Sequence, residues 1–176
     1  MKKMVLMVIF CQILLFLQNK AFAENTRFNK VYFAGGCFWC MEESFDKIDG
    51  VIQSISGYSG GKLKNPTYQD VIYKDTGHVE TIEITYDSNK ISFEELLNIF
   101  WKNIDPFDKY GQFCDKGKSY RSVIFYKDNI QKKIIKKTIT NIEKKFDAKV
   151  VTLLWKFEKF YQAEQYHQNY YQKNFL

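Results

Sequence analysis

The sequence predicts either a two-layer α+β sandwich or a parallel α/β sheet, and three observations narrow it to that pair. Strand-like and helix-like segments alternate along the chain, as they do where crossovers connect the strands of one sheet. Helical patterns are few for a doubly wound sheet, and the strands alternate apolar with polar residues, as expected where a sheet is covered mainly on one face. Periodicity leaves the strand order open.

The elements follow in order. Residues 30–34 read as a short strand ending at Gly35-Gly36, and 38–47 carry apolar residues at helical spacing with Glu42 and Glu43 near the start. A strand therefore delivers Cys37 to a helix N-terminus. Residues 51–58 read as a strand closed by Gly60-Gly61, 67–73 as a short helix, and 79–86 as a strand. Ser92 with Glu95 three residues on forms a capping box, opening a helix that Asp105-Pro106 stops. A polar loop over 106–119 leads to a strand at 122–126, a helix at 128–145 and a strand at 150–154. The aromatic tail, 160–175, places Tyr166 with Tyr170, or His167 with Tyr171, on one helical face, chiefly as core packing.

Residues 1–23 have the grammar of a secretory leader: Lys2 and Lys3, an apolar run over 4–17, and Ala21-Phe22-Ala23 at the end. The run is shorter than the ~20 residues a bilayer-spanning helix requires, so cleavage after Ala23 is expected, with a retained signal anchor as the alternative. Residues 24–176 then form a single catalytic domain, exported to a periplasm or the medium and expected to be a monomer. Loss of Lys2, Lys3 and Lys20 takes the formal charge from +6 to +3, because the leader holds no acid. That removes most of the electrostatic motive for binding nucleic acid. The lysine pairs at 132–133, 136–137 and 144–145 read as a solvated helix face. Cys11 leaves with the leader, and the remaining odd number of thiols, Cys37, Cys40 and Cys114, suits redox chemistry better than stapling.

A thiol at the first turn of a helix faces the positive end of the macrodipole, which favours thiolate, so Cys37 is placed to be a nucleophile. Cys40 follows at the spacing of dithiol redox sites. Met41 stands where haem attachment needs histidine, and a zinc site would need Cys37, Cys40, Cys114 and His78 to converge without a second C-x-x-C. Alternation puts Glu80 on the same strand face as Ile82, Ile84 and Tyr86, where burial would keep a carboxyl protonated as a general acid requires. Phe38 and Trp39 flank the nucleophile and could form a pocket for a small apolar group.

The segments Gly35-Gly36-Cys37-Phe38-Trp39-Cys40, Gly57-Tyr58-Ser59-Gly60-Gly61, Asn65-Pro66-Thr67-Tyr68, Gly77-His78-Val79-Glu80, Gln112 to Asp115, Tyr120-Arg121-Ser122 and Tyr166-His167-Gln168 together closely resemble the A-type peptide methionine sulfoxide reductases. The resemblance covers nearly all of the chain beyond the leader. It implies a two-layer α+β sandwich with a ferredoxin-like core and a mixed sheet. It implies reduction of methionine-S-sulfoxide, free or in proteins, with no metal or bound organic cofactor and with electrons from a thioredoxin-like donor. Carried over by motif, Cys37 attacks the sulfoxide sulfur, Glu80 protonates the oxygen, and Tyr68 and Tyr120 hydrogen-bond it. Phe38 and Trp39 receive the substrate methyl, and Asp115 lines the site. The sulfenic acid left on Cys37 needs a second thiol. Many members carry resolving cysteines in a glycine-rich tail; this chain ends at Asn174-Phe175-Leu176, so Cys40 or Cys114 is expected to serve, Cys40 favoured by its proximity along the helix.

The competing reading is a thioredoxin-like disulfide oxidoreductase, which would need a strand proline opposite the dithiol. The only prolines, Pro66 and Pro106, fall in turn-like settings. A non-catalytic domain would leave the face shared by Glu80, Ile82 and Ile84 unexplained.

Overall fold

The computed structural model describes residues 27–174, so the expected leader lies outside the described residues. Among the described residues the strands are β1 (Phe28–Ala34), β2 (Val51–Ser59), β3 (Val79–Asp87), the short pair β4 (Gly111–Gln112) and β5 (Asp115–Lys116), β6 (Val123–Tyr126), β7 (Leu153–Lys156) and β8 (Phe160–Gln162). The helices are α1 (Phe38–Asp46), α2 (Tyr68–Tyr73), α3 (Phe93–Lys102), α4 (Asn129–Phe146) and α5 (Tyr170–Asn174).

The main sheet has six strands in the order β7-β6-β1-β3-β2-β8. β3 lies between β1 and β2 and runs antiparallel to both, and β1 runs antiparallel to β6. The four central strands with α1 and α3 in the crossovers make the split β-α-β, ferredoxin-like arrangement. Only β6 and β7, joined through α4, pair in parallel. The sheet is therefore mixed and the fold α+β, which excludes the parallel alternative.

Each sheet face has its own partner. Val31, Phe33, Ile82, Ile84 and Ile124 pack with Phe45, Leu96, Leu97, Phe100 and Ile135 from the helices. Phe33 sits at the centre, its ring 5.0 Å from Phe100 and 5.8 Å from Phe45. Burying such rings removes most of their apolar surface from water, typically ~2–3 kcal/mol each. Tyr32, Ala34, Val79, Val123 and Phe125 face the other way, under Trp155, Phe157 and Phe160. On α4, Lys133, Lys136, Lys137, Lys144 and Lys145 are exposed, as expected of a solvated face. Capping boxes start α2 at Thr67 with Asp70, and α3 at Ser92 with Glu95.

Two segments depart from expectation. The loop over 106–119 contains the β4–β5 hairpin and a 3₁₀ turn, Lys118–Tyr120. The tail is not one helix: it forms β8 on the free edge of β2, a 3₁₀ turn at Gln165–His167 and only then α5. Backbone pairing overrides the helical spacing because Gly57 admits it. A Cβ at Gly57 would stand 2.3 Å from both the Phe160 ring and the Tyr161 carbonyl oxygen.

Gly57→Ala should therefore lift β8 and lower stability by about 1–3 kcal/mol. The Ala163 amide, which donates to the Ser56 carbonyl at 2.9 Å, should exchange faster in deuterium. Unchanged exchange there would mean that the strand accommodates the methyl group.

Candidate active site

β1 runs into Gly35-Gly36 and stops, and Cys37 becomes the N-cap of α1. Gly36 has φ +88, and a Cβ on it would lie 2.6 Å from Gln112 Cβ. Glycine is required there by both conformation and space. Gln112 is buried and locks its own loop, accepting from the Asp105 amide at 2.7 Å and donating to the Asp105 carbonyl at 2.9 Å. That packing brings β4–β5, with Cys114 and Asp115, beside the turn that carries Cys37.

Glu80, in β3, is only 2% exposed. It lies on the helix-facing side with Ile82 and Ile84, the placement that strand alternation predicts. Its Oε2 accepts the Phe38 amide at 2.9 Å. Burial holds the carboxyl up to about 8, with the Asp115 charge pushing the same way, while the Phe38 amide and Tyr120 hydroxyl pull it down. Glu80 is thus predominantly protonated at neutral pH, next to the nucleophile. The Tyr120 hydroxyl, closing the 3₁₀ turn, lowers the pKa of both Glu80 and Tyr68. Tyr68 opens α2, and its amide donates to Glu164 Oε1 at 2.9 Å. These two half-buried phenols and the Glu80 carboxyl converge from α2, the 3₁₀ turn and β3. Burial raises both phenols' pKa, so both hydroxyls stay protonated as donors.

The aromatic residues behave differently from one another. Phe38 is buried, its ring centroid 5.0 Å from that of His167 and 5.9 Å from that of Tyr58. Trp39 is half-buried, stacked on Tyr170 at 3.7 Å and 5°, with its indole N–H donating to His167 Nδ1 at 3.1 Å. Burial lowers the His167 pKa, which keeps Nδ1 free to accept.

The thiols correct one expectation. Rather than favouring thiolate, the setting pushes the Cys37 pKa up, through its hydrogen bond to Cys40, burial and the Glu80 carboxyl. Cys40, exposed one turn on, is pulled down to about 6 by that same bond and by the Tyr171 hydroxyl 3.4 Å from its sulfur. Their mutual hydrogen bond and unequal exposure push the two thiols in opposite directions, the half-buried Cys37 up and the exposed Cys40 down. Of the two candidate resolving residues, Cys40 is the one whose thiol interacts with that of Cys37. Cys114 is exposed at the tip of the β4–β5 hairpin.

Asp115 is half-buried on β5, and its charge acts on Glu80, Cys40 and Tyr120. Among the described residues no cluster of three or more His, Cys, Asp or Glu could hold a metal ion. His78 engages both ring nitrogens locally, with the Gly61 amide at 3.1 Å and the Leu63 carbonyl at 2.8 Å.

Sequence reasoning gave Glu164 no role and read His167, Tyr170 and Tyr171 chiefly as core packing. Glu164 seats Tyr68 and also accepts the Tyr58 hydroxyl at 2.9 Å. The motif around His167 was visible, but its contact with Trp39 spans 128 residues and has no local signal.

Comparison with known proteins agrees with this geometry. The family model described as peptide methionine sulfoxide reductase matches residues 29–176. The peptide methionine sulfoxide reductase MsrA of Ligilactobacillus salivarius (strain UCC118) is 49% identical over 144 residues, 81% of this chain and 84% of that relative. Among solved structures, reduced Mxr1 from Saccharomyces cerevisiae superposes with a TM-score of 0.80 at 29% identity, covering 85% of this chain and 87% of that one. Methionine sulfoxide reductase A of Corynebacterium diphtheriae gives 0.76 at 28%, covering 85% and 76%. With the motifs, the fold and these matches in agreement, the chain belongs to the peptide methionine sulfoxide reductase family, in its A-type branch.

Proposed function

We propose that this protein reduces methionine-S-sulfoxide, in proteins or free, to methionine, as an oxidative-damage repair enzyme. The observation that carries the mechanism is the buried Glu80 carboxyl held at 2.9 Å against the amide that follows Cys37. A sulfoxide oxygen is a poor leaving group until it is protonated, so the nucleophile needs an acid beside it. The Cys37 sulfur bonds to the sulfoxide sulfur as the Glu80 proton passes to the oxygen, and the thiol proton returns to the Glu80 carboxylate. Tyr68 and Tyr120 donate to the same oxygen, and Phe38 and Trp39 wall the space for the methyl group, with Asp115 at the rim. Transfer of the hydroxyl to Cys37 releases methionine: the substrate sulfur gains two electrons, and Cys37 loses two as it becomes a sulfenic acid.

Cys40 then attacks the Cys37 sulfur. The disulfide forms, the hydroxyl departs as water with a proton from Glu80, and the sulfenic acid is resolved. The interaction of the two thiols at the start of one helix favours Cys40 over Cys114. A thioredoxin-like dithiol reduces the product disulfide; yeast Mxr1 has been solved in complex with Trx2. Residues 1–23 support export to a periplasm or the medium, with the leader cleaved and the catalytic domain released as a monomer. Family membership favours this reading over general disulfide exchange.

With dithiothreitol as reductant, the protein should reduce the S epimer of a methionine sulfoxide peptide and leave the R epimer. Activity on R alone, or on neither, would sink the assignment. A single turnover without reductant should leave a Cys37–Cys40 disulfide in peptide mapping, and a Cys37–Cys114 bridge as sole product would overturn the choice of Cys40.

Glu80→Gln should slow turnover by about 10²–10⁴-fold and abolish the fall in activity that wild type shows as pH rises through about 8. Its effect on stability runs the other way. Because the folded carboxyl is raised from 4.5 to about 8, the folded state holds a proton that the unfolded chain has released, and stability falls across that window as pH rises. Denaturant titrations should find Glu80→Gln flatter with pH and more stable than wild type by ~2 kcal/mol or more at pH ~9. A wild-type stability that does not fall across the window would contradict the raised carboxyl.

A further inference from the structure

The C-terminal segment lies against the catalytic helix through contacts that substrate reduction does not use. Glu42, on α1 and 2% exposed, accepts the Asn169 amide on Oε2 at 2.9 Å. Its carboxylate also faces the Tyr170 amide, so it binds the start of α5 as a capping acid would. Gln168 is buried and zipped to β2, accepting from the Ser56 amide at 3.0 Å and donating to the Ser56 carbonyl at 2.9 Å. Tyr170 is stacked on Trp39. Flanked by these contacts, the Tyr171 hydroxyl stands 3.4 Å from Cys40 Sγ.

We propose that Tyr171 is a catalytic residue of the regeneration step, donating a hydrogen bond that holds Cys40 as the thiolate that attacks the Cys37 sulfenic acid. This rests on Cys40 being the resolving thiol. A thiolate has no proton to give, so within the pair the phenol must be the donor. A phenol in this position stays protonated, since an adjacent thiolate and burial both push its pKa up, here to about 12. The step balances: Cys40 loses its proton to solvent, its sulfur bonds to Cys37 sulfur, and the sulfenic hydroxyl leaves as water with a proton from Glu80. Removing the phenol hydroxyl should raise the Cys40 pKa. The lost thiolate fraction slows attack below that pKa, while a more basic thiolate is intrinsically a better nucleophile. The two effects oppose each other with different pH dependence.

The test follows decay of the Cys37 sulfenic acid and growth of the disulfide by quenched alkylation and mass spectrometry after oxidation by N-acetylmethionine-S-sulfoxide without reductant. It compares wild type, Tyr171→Phe and Cys40→Ser across pH. If loss of the hydroxyl raises the Cys40 pKa by about one unit, Tyr171→Phe should form the disulfide roughly threefold more slowly near pH 5 and up to roughly threefold faster near pH 9. Alkylation of Cys40 in the reduced protein should show the same upward shift of its midpoint. Rates lowered by one constant factor at every pH would show a merely structural role and overturn the proposal, as would superimposable profiles. If Cys40→Ser stops at the sulfenic acid, the choice of Cys40 stands whatever Tyr171→Phe does. If Cys40→Ser still forms a disulfide at the wild-type rate, that choice and the role of Tyr171 fail together.

Discussion

The contact between the Phe38 amide and the Glu80 carboxyl organises the rest of the site. It joins the first turn of α1 to the start of β3 inside a nearly water-free region, so the acid and the nucleophile's helix cannot shift independently. An ionised carboxyl in that position is costly, and one amide with one phenol does not offset its lost hydration. The proton therefore stays on at neutral pH. Neighbouring side chains are arranged around that neutral acid: Tyr120 and Tyr68 point hydroxyls at the same space, and Asp115 adds a like charge that further opposes ionisation.

Everything else that touches the nucleophile comes from distant parts of the chain. Gln112 fills the space left by the absent side chain of Gly36, which sets the β4–β5 hairpin beside the turn. Gly57 admits β8 to the sheet edge, and β8 carries Glu164, His167 and the tail tyrosines to α1 and α2. In both places a missing side chain allows a backbone or a neighbour to come close. The site is thus held by close approach between segments.

The two thiols show how local rules compete. The helix N-terminus acts on both sulfurs of the first turn, so it cannot decide which ionises first. The hydrogen bond between the thiols, their unequal exposure and the neighbouring phenol pull the two apart, Cys37 upward and Cys40 downward. The inner, half-buried sulfur sits beside the Glu80 acid, and the outer, exposed one faces solvent and the tail.

Much of this was legible before any coordinates. Strand alternation alone put Glu80 on the face with Ile82 and Ile84, because a period of two leaves no other choice once the apolar side is identified. Gly35-Gly36-Cys37 marked a strand-to-helix turn, and Ser92 with Glu95 marked the start of α3, since these signals act over three or four residues. The order of strands was not legible from periodicity: alternation tells which face of a strand is buried, not which strand lies beside it. Nor was the path of the tail, where helical spacing of the aromatic residues lost to edge pairing that depends on Gly57, about a hundred residues away. Sequence by itself determined which groups could do chemistry, because reactivity belongs to residue type and local turn. Only the tertiary structure decided which sulfur is shielded and which tyrosine faces the exposed one, because desolvation and close approach are properties of segments brought together from opposite ends of the chain.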